Sequence, residues 1–212
     1  MIEVHHLNNS RSQRVLWMLE ELGIPYTVVR YERDARTMLA PPELKSIHPL
    51  GRSPVIRDGG FVLAESGAIL EYLGEKYGAG RFTPPRGTRE YETCLYWVHY
   101  AEGSLMMQLL VKIYLERVGK PAKALLERVN GAVRMHLAYI EEAIGSSQFL
   151  TGAALTIADV QMSFPLEVSR AQGMLGDGQP RLQALLGRLH ARPAYKAALQ
   201  KGGPYAYAGE SG

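Results

Sequence analysis

Residues 78–88, Gly-Ala-Gly-Arg-Phe-Thr-Pro-Pro-Arg-Gly-Thr, hold three glycines and two prolines, and no regular element should cross them. The hydrophobic pattern changes at the same place. Before it, short β-branched runs alternate with helical patterns; after it, helical patterns continue without a convincing strand. This predicts a mixed α/β domain over 1–78, a linker over 79–88 and an all-helical domain over 89–212, with a frayed tail from about Gly202.

In the first part, Ile2 to Leu7 reads as a strand, and a helix starts around Ser10, carrying Val15, Leu16, Leu19 and Leu22 at helical spacing with Gly23 as its stop. Tyr26 to Tyr31 is a second strand. Pro54-Val55-Ile56 and Phe61-Val62-Leu63 form a hairpin around Asp58-Gly59-Gly60, and Ser66 to Tyr77 is a closing helix. In the second part, Tyr91 to Arg117 carries an apolar stripe of Leu95, Val98, Leu105, Leu109 and Ile113. Ala122 to Ile144 carries one of Leu125, Val129, Leu137, Ile140 and Ile144. Further helices begin at Thr156, near Pro180 and near Pro193.

Composition narrows the function classes. Twenty-four basic against 21 acidic residues, scattered and without interleaved aromatics, make nucleic acid a poor partner. No stretch approaches the roughly 20 apolar residues of a membrane span, and the first residues lack a secretory pattern, so a cytoplasmic protein is expected. The single cysteine, Cys94, can form no intrachain disulfide and no Cys-x-x-Cys pair. His5 and His6 are adjacent in a strand and would point to opposite faces, and there is no His-x-x-x-His, so no metal is expected. A Gly-x-Ser-x-Gly elbow and phosphate- or dinucleotide-binding fingerprints are missing.

The most specific local signal is Pro49-Leu50-Gly51-Arg52-Ser53-Pro54-Val55-Ile56, followed after the hairpin by Glu65-Ser66 at a helix start. The residue before a proline is forced extended, so Ser53 would turn its amide and carbonyl outward to an extended peptide. Glu65 and Ser66 would lie where free amides and the helix dipole hold an anion, while the Glu65 carboxylate takes an ammonium group. The plainer alternative is an edge strand at Pro54 and a helix cap at Ser66.

These residues, with His6-Leu7-Asn8-Asn9-Ser10-Arg11-Ser12-Gln13-Arg14-Val15-Leu16-Trp17 and Glu20-Glu21-Leu22-Gly23-Ile24-Pro25-Tyr26, resemble the cytosolic glutathione transferases, in the bacterial and fungal branch with a loop serine. The resemblance covers nearly the whole chain. It implies an α/β thioredoxin-like N-terminal domain, an all-α C-terminal domain forming the electrophile pocket between the two, a cis bond at Pro54 and glutathione as co-substrate. It assigns the cysteinyl backbone to Ser53, the γ-glutamyl end to Glu65 and Ser66, and the glycine carboxylate to Arg52. The resemblance places the activating residue in this loop and points to Ser10, with Asn9 and Ser12 as alternatives and a simple N-cap as the structural explanation of Ser10. His48 stands where asparagine is common and reads as structural.

The implied activity is conjugation of the glutathione thiolate to small electrophiles, in detoxification, with peroxide reduction as a further expectation. A non-catalytic glutathione- or ligand-binding protein of the same fold is the rival. A homodimer without nucleic-acid or membrane partners is expected. Tyr96, His99, Tyr100, Met106, Met107 and Tyr114 are available to the electrophile, though most of them read as core side chains, and Glu102 could reach a partner's site or as easily be solvated. Thr156-Ile157-Ala158-Asp159 reads as a capping box stapled by Leu155 and Val160, a folding device rather than a site.

Overall fold

The computed structural model describes residues 1–209, which divide into two compact units. One comprises Met1–Thr83 and His190–Ala208; the other comprises Pro84–Leu189 and Gly209. The break falls within the glycine- and proline-rich stretch. The last helix belongs with the first unit, which sequence order alone did not suggest.

The first unit carries β1 (Ile2–Leu7), α1 (Ser12–Leu22), β2 (Tyr26–Tyr31), β3 (Val55–Asp58), β4 (Phe61–Ala64) and α2 (Ser66–Tyr77). Its sheet has the order β2-β1-β3-β4, with β1 parallel to β2 and the β1–β3 and β3–β4 pairs antiparallel. This is the thioredoxin-like arrangement. Gly23, at φ 69°, ends α1 by giving its amide to the Leu19 and Glu20 carbonyls. The core is Val4, Val15, Leu16, Trp17, Leu19, Ile56, Ile69, Leu70 and Leu73, all fully buried. Each such side chain contributes about 1.5–3 kcal/mol.

The first unit closes on its last helix, labelled α8 (Pro193–Gly202) below. Arg192 grips Glu21 with two bonds, Nε to Oε1 at 2.5 Å and a second guanidinium nitrogen to Oε2 at 2.8 Å. Tyr195 meets Trp17 edge to face, and the backbone of Lys201 accepts from Arg30. Beyond it, Asn9 Oδ1 accepts the Ala206 amide at 2.7 Å. The chain end, expected to fray from Gly202, is thus held to the β1–α1 loop at Ala206; residues 210–212 lie outside the described residues.

The second unit holds α3 (Arg89–Tyr100), a π-helical segment (Ala101–Met106), α4 (Met107–Val118), α5 (Lys123–Ile144), α6 (Ile157–Ala171) and α7 (Pro180–Ala191), whose last two residues belong to the first unit. The single helix expected from Tyr91 to Arg117 is thus two helices joined by one wide turn. Thr88 caps α3 by accepting the Tyr91 amide at 3.2 Å. Helix α6 is buried from Ile157 to Ser169, against α3 and α4. Leu125 departs from the expected stripe: it is exposed in the first turn of α5, and burial begins at Val129. Among the described residues, no helix is long and apolar enough to cross a membrane.

Candidate functional site

Three strand ends meet at one edge of the sheet. β1 pairs with β3 through His5 and Val55, and β3 with β4 through Val55 and Ala64. Continuing those registers by two residues sets Leu7 beside Ser53 and Ser53 beside Ser66. The Leu7 amide bears this out by donating to Ser53 Oγ at 3.3 Å. Because β1 and β4 run the same way, the N-termini of α1 and α2 both open at this edge, the positive ends of their dipoles turned toward it.

Ser53 is fixed to β1, its hydroxyl donating to the His5 carbonyl at 2.8 Å, and the Ser53–Pro54 peptide is cis. Its own amide and carbonyl have no partner among the described residues, as an extended peptide would require. Glu65 precedes α2 at φ 69°, ψ 114°, a conformation unusual outside glycine, and its side chain caps nothing. Ser66 is not the N-cap that the plainer reading offered: it is the first residue of α2, and it is buried. Arg52 is exposed beside Ser53.

At the start of α1, Ser10 Oγ accepts the Ser12 amide at 3.2 Å, and the Ser10 carbonyl accepts that of Gln13 at 3.2 Å. Capping uses a lone pair of the Ser10 hydroxyl and leaves its proton to be directed elsewhere. Of the alternatives, Ser12 is fully buried, and Asn9, at φ 49°, has its carbonyl oxygen turned to the Ala206 amide. Ser12 Oγ lies 2.7 Å from Ser10 Oγ and 2.9 Å from His6 Nδ1. Burial, reinforced by the Arg30 charge, pulls the His6 pKa down to about 4, so the ring is neutral near pH 7.

The sequence pattern alone assigns His6 no place in the site. The strand alternation that separated it from His5 also places it on the α1 face, which is the signal that could have found it. A cavity of about 390 Å³ lies on the other side of β1, between β2 and the chain end, lined by His6, Asn8, Asn9, Tyr31 and Tyr205 among others and by none of Ser10, Arg52, Ser53, Glu65 or Ser66. Among the described residues, no three His, Cys, Asp or Glu side chains gather to hold a metal ion.

In the second unit, Met106 is core, whereas Tyr96, His99, Met107 and Tyr114 are exposed and Tyr100 is half-buried. Most of that group is therefore not core, contrary to the simpler expectation. Burial pushes the Tyr100 hydroxyl up to about 12.

Residues 10–76 match the family model for the glutathione S-transferase N-terminal domain, and residues 105–202 that for the C-terminal domain. The chain is 33% identical to glutathione S-transferase 3 of Schizosaccharomyces pombe, over 95% of this chain and 88% of that protein. Among solved structures it is similar to a glutathione S-transferase from Actinobacillus pleuropneumoniae, with TM-score 0.89, 31% identity, and coverage of 100% of this chain and 97% of the other. A glutathione transferase family member from Pseudomonas fluorescens, solved with two glutathione molecules bound, matches with TM-score 0.78 and 26% identity over 93% of this chain and 92% of its own.

Proposed function

The chain belongs to the glutathione S-transferase family, and from that premise we propose that it binds glutathione at the shared edge of β1, β3 and β4 and transfers its thiolate to small electrophiles. The observation that carries the site is the convergence, at that edge, of the unpaired Ser53 backbone, the α2 N-terminus with Glu65, and the Ser10 hydroxyl.

Each part of the tripeptide has a matching group. The Ser53 amide and carbonyl pair with the cysteinyl unit, as a strand would. The α-carboxylate of the γ-glutamyl end takes the first-turn amides of α2 near Ser66, and its ammonium takes the Glu65 carboxylate. Arg52 meets the glycine carboxylate with its planar fork. The cysteinyl sulfur then faces the α1 N-terminus and Ser10.

A thiol of pKa about 8.5 is only about 3% ionised at pH 7. A hydroxyl donor and helix amides, together worth about 1.5–3 kcal/mol to a charged acceptor, lower that pKa by roughly one to two units. The reactive fraction rises about tenfold or more, and positioning of the electrophile adds to it. The exposed α4 face of Met107, Val111 and Tyr114, spaced at helical intervals, is the apolar surface proposed for the electrophile. A cytoplasmic homodimer remains part of the proposal, supported by the family pattern.

The test is the ultraviolet absorbance of the thiolate, followed against pH for bound glutathione in wild type and Ser10→Ala. The variant should raise the pKa by about one to two units. If bound glutathione titrates in the wild type as it does free in water, the chain binds glutathione without activating it, and the binding-protein reading replaces the enzyme.

A further inference from the structure

Behind Ser10 lies a chain of groups that the family comparison does not assign. Ser12 Oγ stands 2.7 Å from Ser10 Oγ, 2.9 Å from His6 Nδ1, 3.2 Å from the Leu7 amide and 3.3 Å from the Leu7 carbonyl. One hydroxyl has one proton and two lone pairs. The Leu7 amide can only donate, so it takes one lone pair. The remaining question is which neighbour receives the Ser12 proton.

The His6 ring decides this. The ring also meets Gly202, whose backbone raises the ring's pKa as an accepting carbonyl does, and which comes so close that a Cβ there would lie 3.4 Å from the ring carbon Cε1 and 2.7 Å from Gln13 Oε1. A carbonyl accepts only from an N–H, so the ring carries its proton on Nε2 and leaves Nδ1 bare. A bare Nδ1 at 2.9 Å takes the Ser12 proton in preference to the Leu7 carbonyl at 3.3 Å. Ser12 then has only a lone pair left for Ser10. Ser10, whose own lone pair holds the Ser12 amide, gives its proton inward.

We propose that His6, acting through Ser12, is a positioning residue that keeps the Ser10 proton turned away from the glutathione sulfur, so that a bound thiolate must win that proton from Ser12. This rests on the reading of Ser10 given above. When the thiol ionises, its proton leaves to solvent, and the Ser10 O–H swings from Ser12 Oγ to the sulfur without any bond breaking within the protein. His6 does not serve as the base, because a ring held near 4 is far too weak for a thiol near 8.5. The charged group facing the ring is Arg30 on β2; α1 offers Ser12 and Gln13, and α8 the Gly202 backbone.

The inference predicts an effect opposite to simple loosening. Ser12→Ala removes the inward acceptor while keeping the amide that caps on Ser10, and His6→Phe removes the bare nitrogen so that the Ser12 proton turns to Ser10. Both should lower the pKa of bound glutathione by roughly half to one unit, the weight of one neutral hydrogen bond, with a matching rise in turnover at pH 6.5. Circular dichroism checks the fold of each. In the unmodified protein, the nitrogen chemical shifts of His6 should report a protonated Nε2 and a bare, hydrogen-bonded Nδ1 at pH 7, so a result is obtained whether or not the variants fold. A protonated Nδ1 would overturn the inference, as would an unchanged or raised thiol pKa in both variants while Ser10→Ala still shifts it. A coincident Ser10→Ala titration would remove the reading of Ser10 itself, and this inference with it.

Discussion

Asp159 hydrogen-bonds outside the helix it starts: its Oδ1 accepts the amide of Leu150, nine residues upstream, at 2.8 Å. Its Oδ2 accepts the Thr156 amide at 2.9 Å and completes the capping box. One fully buried carboxylate thus satisfies two backbone donors and fixes the 150–156 loop onto α6. Asp159→Ala leaves both donors buried without partners and should cost about 1–3 kcal/mol of stability. Denaturant unfolding measures the loss. Glutathione affinity of the folded fraction should be unchanged, and a large loss there would give the motif a binding role.

The same carboxylate should leave a mark on the pH dependence of stability. Burial raises its pKa to about 6, against the hydrogen bonds from Leu150 and Thr156 that lower it. Between about pH 4 and 6 the folded chain holds a proton that the unfolded chain has released, so this group makes stability fall as pH rises through that window. His6 acts the other way: with its folded pKa near 4, it makes stability rise from about pH 4 to 6.5. The two largely oppose each other in the wild type. In Asp159→Asn only the rising contribution remains, and the variant's stability should gain about 3 kcal/mol on wild type between pH 4 and 7. Urea titrations at four pH values compare the curves, and parallel curves would show that Asp159 does not titrate in this range.

The two-part architecture was legible because strands repeat at two residues and helices at 3.6, and no tertiary knowledge is needed to see that change near residue 80. Gly23, Gly59 and the Thr156–Asp159 box were legible for the same local reason. The π-helical segment at Ala101–Met106 was not, because Leu105 and Leu109 keep an ordinary helical spacing through it. Neither was the packing of the chain end, since the bond between Asn9 and Ala206 joins residues far apart in sequence. Within the site, the residue types at Ser10, Ser53 and Glu65 could be read. The partners that fix the hydroxyls were not legible: Ser53 Oγ donates to the His5 carbonyl, and Ser10 Oγ lies 2.7 Å from Ser12 Oγ, contacts that only the folded chain makes.

Gly202 tests how closely α8 approaches the rest of the first unit. An added methyl would meet Gln13 Oε1 at 2.7 Å and Leu16 Cδ1 at 3.1 Å, both on side chains that are themselves buried. Gly202→Ala should therefore cost about 1–3 kcal/mol by overpacking, despite the usual benefit of alanine in a helix. Thermal unfolding is the measurement. Unchanged stability would mean that α8 shifts freely, and the Gly202 contact to His6 would lose its force.

Glu65 joins binding to backbone strain. At φ 69° it occupies a region that glycine adopts without cost and that costs other residues about 1–3 kcal/mol. Its carboxylate has no partner within the chain among the described residues that would repay that cost, which is expected if the repayment comes from a ligand's ammonium group. Two substitutions separate these contributions. Glu65→Ala removes the carboxylate and keeps the strain, so stability should change little while glutathione binding weakens by about 1.5–3 kcal/mol. Glu65→Gly removes both, and should weaken binding to a similar degree while raising stability by about 0.5–1 kcal/mol, the relieved strain exceeding the added flexibility of the unfolded chain. Calorimetric titration with glutathione and thermal unfolding of both variants give the four numbers. Wild-type affinity in Glu65→Ala would end the assignment of this residue to the γ-glutamyl end, and a less stable Glu65→Gly would show that the turn before α2 is not strained.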